Sequence, residues 1–345
     1  LYADSAAVDI ENEYVMLLEQ MRQKEAPEFI KPEKLEEPTD ELGNVWAFDE
    51  ATATEMQKQA LAGGAPTKTV QLSDDVAIEF VRIPAGKFVM GSLTGCNDEY
   101  PRAEIEIAKP FWMSKTEITN EQYNVYDPEH DTRYIEEHGK DHIVPGYIAN
   151  HPQQPVARVS WNEAQRFVEW LNAEKGVNAA LPTEAQWEWA ARSGSADQFY
   201  YGTWDVDFSK FANLADADRR RLFTQWEYGA MIHVRHNYPE IDVFPLRDDR
   251  FFDRWFIVDY VGQNLPNAWG LYDMIGNVAE WTRSDYKAYP YNDADGRNDL
   301  DAAERKVARG GSWHDRPKIA GSAFRQAYLP WQKVHNVGIR LIIEE

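Results

Sequence analysis

Apolar residues follow two different spacings along the chain, and the change from one to the other separates an N-terminal arm from a larger domain. In residues 6–26 they follow one face of a helix, which predicts an amphipathic helix (Ile10, Tyr14, Leu17, Leu18 and Met21). The next stretch is rich in Pro and Glu, which indicates an extended tether. A second, short helix is predicted over 50–62, capped by Asp49 and ended by Gly63 and Gly64.

From about residue 68 onwards the apolar positions alternate over short stretches, as in strands that bury one face. This alternation predicts a β-hairpin over 76–90, a strand over 104–107 and a last strand over 337–343. No repeat of fixed period is visible in this part of the chain.

Capping boxes predict three helices, because each box satisfies backbone N–H groups at a helix start. The pairs of cap residues are Thr119 with Gln122, Ser160 with Glu163, and Thr183 with Gln186. After Ser160 the apolar residues predict one buried helical face (Ala164, Phe167, Val168 and Leu171). We therefore expect a loop-rich α+β domain over 68–345, preceded by an acidic, helical N-terminal arm over 1–67.

The charge of the chain is strongly acidic, with a formal net charge of −22 over 345 residues. Residues 1–60 alone hold fifteen Asp and Glu against five Lys and Arg. Such a surface repels phosphate, which argues against nucleic acid and against an anionic membrane as partners. No apolar run is long enough to span a membrane. The single cysteine, Cys96, excludes a disulfide within the chain.

Short motifs follow one another across the domain. They are FVMGS (88–92), EYP (99–101), KTEITN (115–120), PVARVSW (155–161), LPTEAQWE (181–188), GLYDMIGNVAEW (270–281), RGGSW (309–313) and GIR (338–340). Together and in this order, they resemble the motifs of the formylglycine-generating-enzyme (sulfatase-modifying-factor) family over about residues 76–343. The resemblance implies a C-type-lectin-like α+β fold with little regular structure, in agreement with the predicted elements.

The resemblance also indicates that two functional cysteines of the family are missing from this chain. Enzymes of this family use two cysteines shortly after the Gly-Gly-Ser motif to bind copper and to pass electrons to oxygen, which requires thiolate ligands. Counted without gaps, those positions are Asp315 and Ala320. We therefore expect neither copper nor this oxidase activity. A related branch that forms carbon–sulfur bonds carries an extra module with three histidine ligands, but residues 1–67 contain no histidine.

Calcium is the cofactor that the resemblance implies, held by oxygen ligands at two sites. One set is Asp273, Glu280 and the carbonyls of Gly276 and Val278. The other set is Asn213, Asp253 and the carbonyls of Leu214 and Trp255. An insertion at about 215–252 separates the two halves of the second set, so it can also move Asn213 away from Asp253. The alternative for the first set is a solvated Asp273 and a Glu280 that caps a turn.

Other groups of polar residues are weaker candidates. His233 and His236 have the spacing of helical metal ligands but no evident third ligand. His138 and His142 are four apart, but Gly139 and Pro145 argue against a helix there. His314 with Asp315 is either a polar remnant of the cleft or a substitute acid–base pair. The acidic stretch 291–300 lacks the ligand pattern of an EF-hand. Cys96 is expected to be a lone loop thiol. The basic group 219–221 is a solvated face, an internal ion pair or a binding site for an acidic partner.

These observations favour a non-catalytic accessory or structural subunit. In this hypothesis a calcium-stabilised domain is a platform in a larger extracytoplasmic bacterial assembly. It would bind protein partners through the arm (1–67) and the insertion (215–252), as a homo- or hetero-oligomer. An isolated amphipathic helix needs such a surface to bury its apolar face. Two alternatives stay open: an enzyme of altered oxidative or maturation chemistry in the same cleft, and a lectin-like ligand-binding module.

Overall fold

The computed structural model describes residues 40–135, 146–215, 251, 253, 255, 257–300 and 304–344. The amphipathic helix predicted over 6–26, its tether, the histidine pairs and the basic group of 219–221 lie outside these residues, as does nearly all of the insertion. The chain divides into two compact units, Leu1–Pro38 and Thr39–Glu345, and every described residue belongs to the second unit.

Short helices and short strands alternate with long loops in the described residues. The helices are α1 (Glu50–Leu61), α2 (Asn120–Asn124), α3 (Trp161–Lys175) and α4 (Glu184–Arg192). The strands are β1 (Thr67–Gln71), β2 (Ala77–Ile83), β3 (Gly86–Met90), β4 (Ala103–Ile107), β5 (Phe111–Ser114), β6 (Tyr134–Ile135), β7 (Tyr147–Ile148), β8 (Ala179–Ala180), β9 (Ala279–Asp285), β10 (Lys306–Arg309), β11 (Arg325–Tyr328), β12 (Val337–Gly338) and β13 (Ile342–Ile343). The prediction of a loop-rich α+β fold is confirmed.

The strands form two main sheets. One has the order β1-β2-β5-β13-β8 and the other the order β11-β10-β9-β12, while β3 pairs with β4 and β6 with β7. The described pairings are antiparallel except that of β9 with β12. No helix among the described residues is both long and apolar enough to cross a membrane.

Helix starts follow the capping chemistry that the sequence predicts. Thr119, Ser160 and Thr183 each accept a hydrogen bond from the backbone N–H three residues later, and each capping box is complete. The predicted face of α3 is buried as expected. These predictions are confirmed because the bonds that decide them lie within one helical turn.

The described segment before β1 packs against the rest of its unit. Asp49 caps α1 through the N–H of Thr52 (2.8 Å), as predicted. Ala53 on that helix is fully buried, and its carbonyl accepts a hydrogen bond from the Trp269 indole (3.2 Å). The described part of 1–67 therefore packs on the core.

Two predicted strand arrangements are wrong. The hairpin of 76–90 does not form, because β2 pairs with β1 and β5 whereas β3 pairs with β4. The Trp189 indole separates them: it donates to the Pro84 carbonyl (2.8 Å) and packs where a Cβ on Gly86 would lie 2.7 Å away. The predicted strand over 337–343 is divided into β12 and β13, which lie in different sheets.

Charged residues are buried between α4 and the second sheet as one ion-pair network. Its members, all at most 5% exposed, are Glu184, Glu188, Arg192, Arg309 and Arg325. Glu184 accepts hydrogen bonds from Arg309 (2.9 Å) and Arg325 (2.5 Å), and Glu188 accepts from Arg192 (2.8 Å) and Arg309. Buried charges are tolerated only when they are paired and hydrogen-bonded in this way.

Candidate functional site

The two predicted ligand sets lie side by side, joined through Asn213. Its carbonyl accepts a hydrogen bond from the N–H of Asn277 (2.8 Å), and its amide donates to the Asn277 side chain (3.3 Å). Gly276 has φ +82°, and a Cβ there would lie 2.2 Å from the Asn213 carbonyl oxygen. Glycine is thus required at this contact, which brings the 270–281 motif against the start of the insertion.

The second predicted set is assembled despite the insertion. The carboxylate of Asp253 accepts hydrogen bonds from the backbone N–H of Leu214 (3.0 Å) and of Trp255 (2.8 Å). Asn213 is 1% exposed, and its Oδ1 has no hydrogen-bond partner among the described residues. Asn213 precedes Leu214, whose N–H donates to the Asp253 carboxylate, and an orphaned buried oxygen at that position fits an oxygen-liganded cation such as Ca²⁺.

The first predicted set is also buried, but its carboxylates have other partners. Glu280 accepts hydrogen bonds from Arg340 (2.7 Å) and from the Trp187 indole (2.5 Å). Asp273 accepts from the N–H of Gly262 (2.6 Å) and from Asn264 (3.2 Å). Asp273 is not solvated, because it is 2% exposed. The hydrogen bonds to Glu280 come from the side chains of Arg340 and Trp187, not from the backbone of a turn.

Two further buried carboxylates adjoin this set, and the sequence reasoning missed both. Glu117, from the KTEITN motif, accepts hydrogen bonds from the N–H of Val278 (3.0 Å) and the side chain of Asn277 (2.8 Å). Asp259 is 2% exposed, and its Oδ2 has no hydrogen-bond partner among the described residues. Glu117 is part of the KTEITN motif, whereas no spacing or motif identifies Asp259.

Negative charge exceeds positive charge in this region. Burial raises the pKa of Glu117 well above its ordinary value, and the nearby Asp273 and Glu280 raise it further. Burial likewise raises the pKa of Glu280 and of Asp273, and raises that of Asp259 to about 7. Arg340 is the cation that opposes these shifts at Glu117, Asp273 and Glu280. Such a surplus of buried carboxylate fits a divalent cation in charge as well as in ligand type.

Asp315 and Ala320, the positions predicted for the family's cysteine pair, lie beside Gly311. A Cβ on Gly311 would be 2.9 Å from the Cβ of Ala320 and 3.6 Å from that of Asp315, so these two side chains approach the same point. The Asp315 carboxylate accepts a hydrogen bond from the Ser312 hydroxyl (2.7 Å). Ala320 is fully buried and offers only a methyl group. Neither side chain offers a thiolate as a ligand.

His314 lies in an aromatic group next to these positions. Its ring is 5.4 Å from the Trp313 ring and 5.9 Å from the His335 ring, both edge-on. The backbone N–H of His314 donates to the Ser312 hydroxyl (3.2 Å). The acid–base role considered for His314 and Asp315 therefore stays a prediction.

The remaining candidates have structural partners. The Cys96 thiol lies within 4.8 Å of the Asp98 and Glu99 carboxylates, and burial raises its pKa to about 11, so the thiol stays protonated at neutral pH. In the acidic stretch 291–300, Asp295 pairs with Arg297 (2.7 Å) and Asp293 accepts from the Tyr291 hydroxyl (2.7 Å). This stretch forms its own hydrogen-bonded turn.

Comparisons with known proteins agree on the family. The model of the "sulfatase-modifying factor enzyme 1-like domain" matches residues 67–345. Inactive Cα-formylglycine-generating enzyme 2 of Bos taurus is 27% identical over 286 residues, covering 71% of this chain and 80% of that protein. The formylglycine-generating enzyme of Streptomyces coelicolor is 26% identical over 314 residues, covering 75% and 87%.

A further relative contains this domain in a longer protein. Serine/threonine-protein kinase pkn1 of Chlamydia pneumoniae is 29% identical over 257 residues, covering 69% of this chain. This chain matches only 33% of the kinase's length.

Solved structures share the fold. PvdO from Pseudomonas aeruginosa has a TM-score of 0.60 and 25% identity, covering 82% of this chain and 100% of that one. Treponema denticola variable protein 1 has a TM-score of 0.57 at 19% identity, covering 81% and 100%, and shows the fold alone. With its motifs, its fold and a match over residues 67–345, the chain belongs to the sulfatase-modifying factor enzyme 1-like (formylglycine-generating-enzyme) domain family.

Proposed function

We propose that this chain is a non-catalytic member of its family, and that its domain is a calcium-stabilised platform in a larger extracytoplasmic assembly. The observation that carries the proposal is the side-chain chemistry beside Gly311, where Asp315 and Ala320 stand in place of two thiols. A carboxylate and a methyl group cannot hold copper as a thiolate pair does. A relative of similar length is named an inactive formylglycine-generating enzyme, which supports the same conclusion.

Calcium would be held by Asn213, Asp253 and the carbonyls of Leu214 and Trp255, with a second ion near Asp273, Gly276, Val278 and Glu280. When bound, the ion supplies positive charge and links loop segments that are distant in sequence. The orphaned Oδ1 of Asn213 and the surplus of buried carboxylate support this part of the proposal. The set of Asp273 and Glu280 needs a cation that shares Glu280 with Arg340.

The platform role is supported by features that the domain's own fold does not require. The chain divides into two units, and the predicted amphipathic helix falls in the first, Leu1–Pro38. The insertion leaves the domain at Ala215, whose N–H donates to the Asp315 carbonyl (3.0 Å). It therefore begins at the position of the lost catalytic pair. We propose that the arm and the insertion bind protein partners, in a bacterial, extracytoplasmic setting.

The assembly role is tested by comparing the full chain with a chain that starts at Thr39, since α1 belongs to the domain. Light scattering after size exclusion measures the mass of each, and cross-linking in the native source identifies partners. We expect complexes of the full chain that are lost without residues 1–38. Two monomeric forms, with no cross-linked partner in the source, would overturn the platform role.

A further inference from the structure

A thiol and two carboxylates come together in the loop between β3 and β4, on residues that belong to neither predicted calcium set. Ligand atoms of Cys96, Asp98 and Glu99 all lie within 4.8 Å of one another. Sulfur and carboxylate oxygen are both ligands that divalent metal ions bind in proteins. Within the part of the chain that the structure describes, no other three such side chains approach one another so closely.

The loop closes tightly around Glu99. The Ser92 N–H donates to the Glu99 carbonyl (3.0 Å), and the Cys96 N–H donates to the Glu99 carboxylate (3.0 Å). A Cβ on Gly95 would lie 1.8 Å from Oε2 of that carboxylate, so only glycine permits this approach. Glu99 is 3% exposed as a result. The loop thus holds the carboxylate inward, beside the Cys96 thiol.

Glu99 is buried without a positive partner. Among the described residues, no Lys, Arg or His pairs with Glu99 or with Asp98, and the Cys96 N–H alone donates to the Glu99 carboxylate. The neighbouring buried acids Glu184 and Glu188 differ, because arginines pair with both. A buried carboxylate is paired, coordinates a metal or stays protonated. In the metal-free chain burial raises the pKa of Glu99 to about 7, so a bound cation would replace a proton there.

Asp98 is oriented from outside the loop. The Tyr286 hydroxyl donates to its Oδ2 (2.7 Å), and Arg325 Nη1 donates to its backbone carbonyl (2.9 Å). Arg325 also lies over the Tyr286 ring, 4.6 Å from the centroid. Outer hydrogen bonds of this kind orient the carboxylates that ligate metals. Cys96 and Asp98 are half-buried, so an ion can reach the group from solvent.

We propose that Cys96, Asp98 and Glu99 bind a zinc ion, with water as the fourth ligand. One thiolate with two carboxylates suits Zn²⁺, because Ca²⁺ takes oxygen ligands and Cu(I) favours sulfur ligands. Bonds of about 2.0–2.3 Å in a tetrahedral site place ligand atoms roughly 3.3–3.7 Å apart, so the loop must draw them together by about 1 Å. Binding releases the thiol proton to solvent. The site is independent of the platform role and of the calcium sets.

Cobalt absorption tests the site in the full chain. Co²⁺ occupies zinc sites, and its bond to a thiolate gives a charge-transfer band in the near ultraviolet. Cys96 is the only cysteine of the sequence, so the band reports this site even where histidines bind metal. The chelator-treated chain is titrated with Co²⁺ in excess calcium and a phosphine reductant. We expect the band to saturate at one Co²⁺ per chain and to disappear when Zn²⁺ is added. No band, or saturation at one ion for two chains, would overturn the proposal.

Variants assign the ligands. Cys96→Ser should abolish the band, and Asp98→Asn and Glu99→Gln should each weaken Co²⁺ binding roughly tenfold or more. Gln is neutral like the protonated Glu99, so we expect this variant to fold. The control, Glu104→Gln, replaces an exposed acid on β4 and should bind Co²⁺ as the wild type does. If both carboxylate variants bind as tightly as the control, the thiol acts alone and the proposed site does not exist.

Discussion

Replacing Glu188 with Gln is the sharpest test of how this fold tolerates its buried charges. Glu188 is fully buried and accepts hydrogen bonds from the Gly91 N–H (2.8 Å), from Arg192 (2.8 Å) and from Arg309. Burial alone would raise its pKa, but Arg192 and Arg309 hold the pKa below its ordinary value. The wild-type network is thus ionised at neutral pH, and Gln removes one negative charge from it.

The loss of unfolding free energy is large because the two arginines keep other hydrogen bonds but lose a buried negative charge. Gln can still accept from one donor, but its NH₂ group must face another. Arg309 keeps Glu184 and two carbonyls, and Arg192 keeps two carbonyls. Removing one partner of a buried pair costs about 3–5 kcal/mol, against a total unfolding free energy of about 5–15 kcal/mol for a typical domain.

Urea unfolding followed by tryptophan fluorescence measures this cost. We expect Glu188→Gln to lower the transition midpoint with little change in slope. The control is Glu106→Gln, which breaks an exposed pair with Lys87 (3.2 Å) and should cost about 0–1 kcal/mol. If the two variants unfold at the same urea concentration, the buried network does not stabilise the fold as described.

Three further outcomes are expected. Calcium at a hundredfold excess over Kd should raise the unfolding free energy by about 2.7 kcal/mol. Asp253→Asn should reduce this gain. A wild-type melting curve that changes with neither calcium nor chelator would refute the site. The double variant Asp315→Cys/Ala320→Cys should bind one Cu(I) under reducing conditions, because both side chains adjoin Gly311. Neither single variant should bind it. Equal affinity for Cu(I) in all three variants would show that the two positions do not face each other. Burial raises the pKa of Glu99 to about 7, so the folded state holds a proton there that the unfolded state releases near 4.5. The contribution of Glu99 to the unfolding free energy therefore falls by roughly 3 kcal/mol as pH rises through this window. Because burial raises the pKa of Asp259 to about 7 as well, Glu99→Gln should make the slope shallower without removing it, and an unchanged slope would contradict the assignment.

Local chemistry in the sequence predicted the helix starts well. The capping boxes at Thr119, Ser160 and Thr183 each depend on two residues three positions apart, and each forms as expected. The family and its α+β fold were equally accessible, because the motifs follow one another in order along the chain. The pairing of the strands could not be predicted in this way. Alternation identifies β2 and β3, but the Trp189 side chain, a hundred positions away, decides that they belong to different sheets.

The candidate site likewise combines residues that the sequence predicts with residues that only the packing reveals. Its predicted residues came from one short motif and from Asn213 and Asp253, which the structure brings together across the insertion. Asp259 and the role of Glu117 could not be predicted, because burial and proximity to Asn277 arise only when the loops pack. The packing of α1 on the core could not be predicted for a related reason. The Pro-rich stretch before α1 is visible in the sequence, but the contact of Ala53 with Trp269 is not.

The absence of oxidase chemistry is the central claim, and turnover of a peptide measures it most directly. The full chain is incubated with copper, oxygen, a thiol reductant and a cysteine-containing sulfatase peptide, beside an active family member as a control. Mass spectrometry follows conversion of the cysteine to formylglycine. The account predicts complete conversion by the control and none by this chain, because Asp315 and Ala320 provide no thiolate. Formylglycine produced by this chain above the copper-only background would contradict the account.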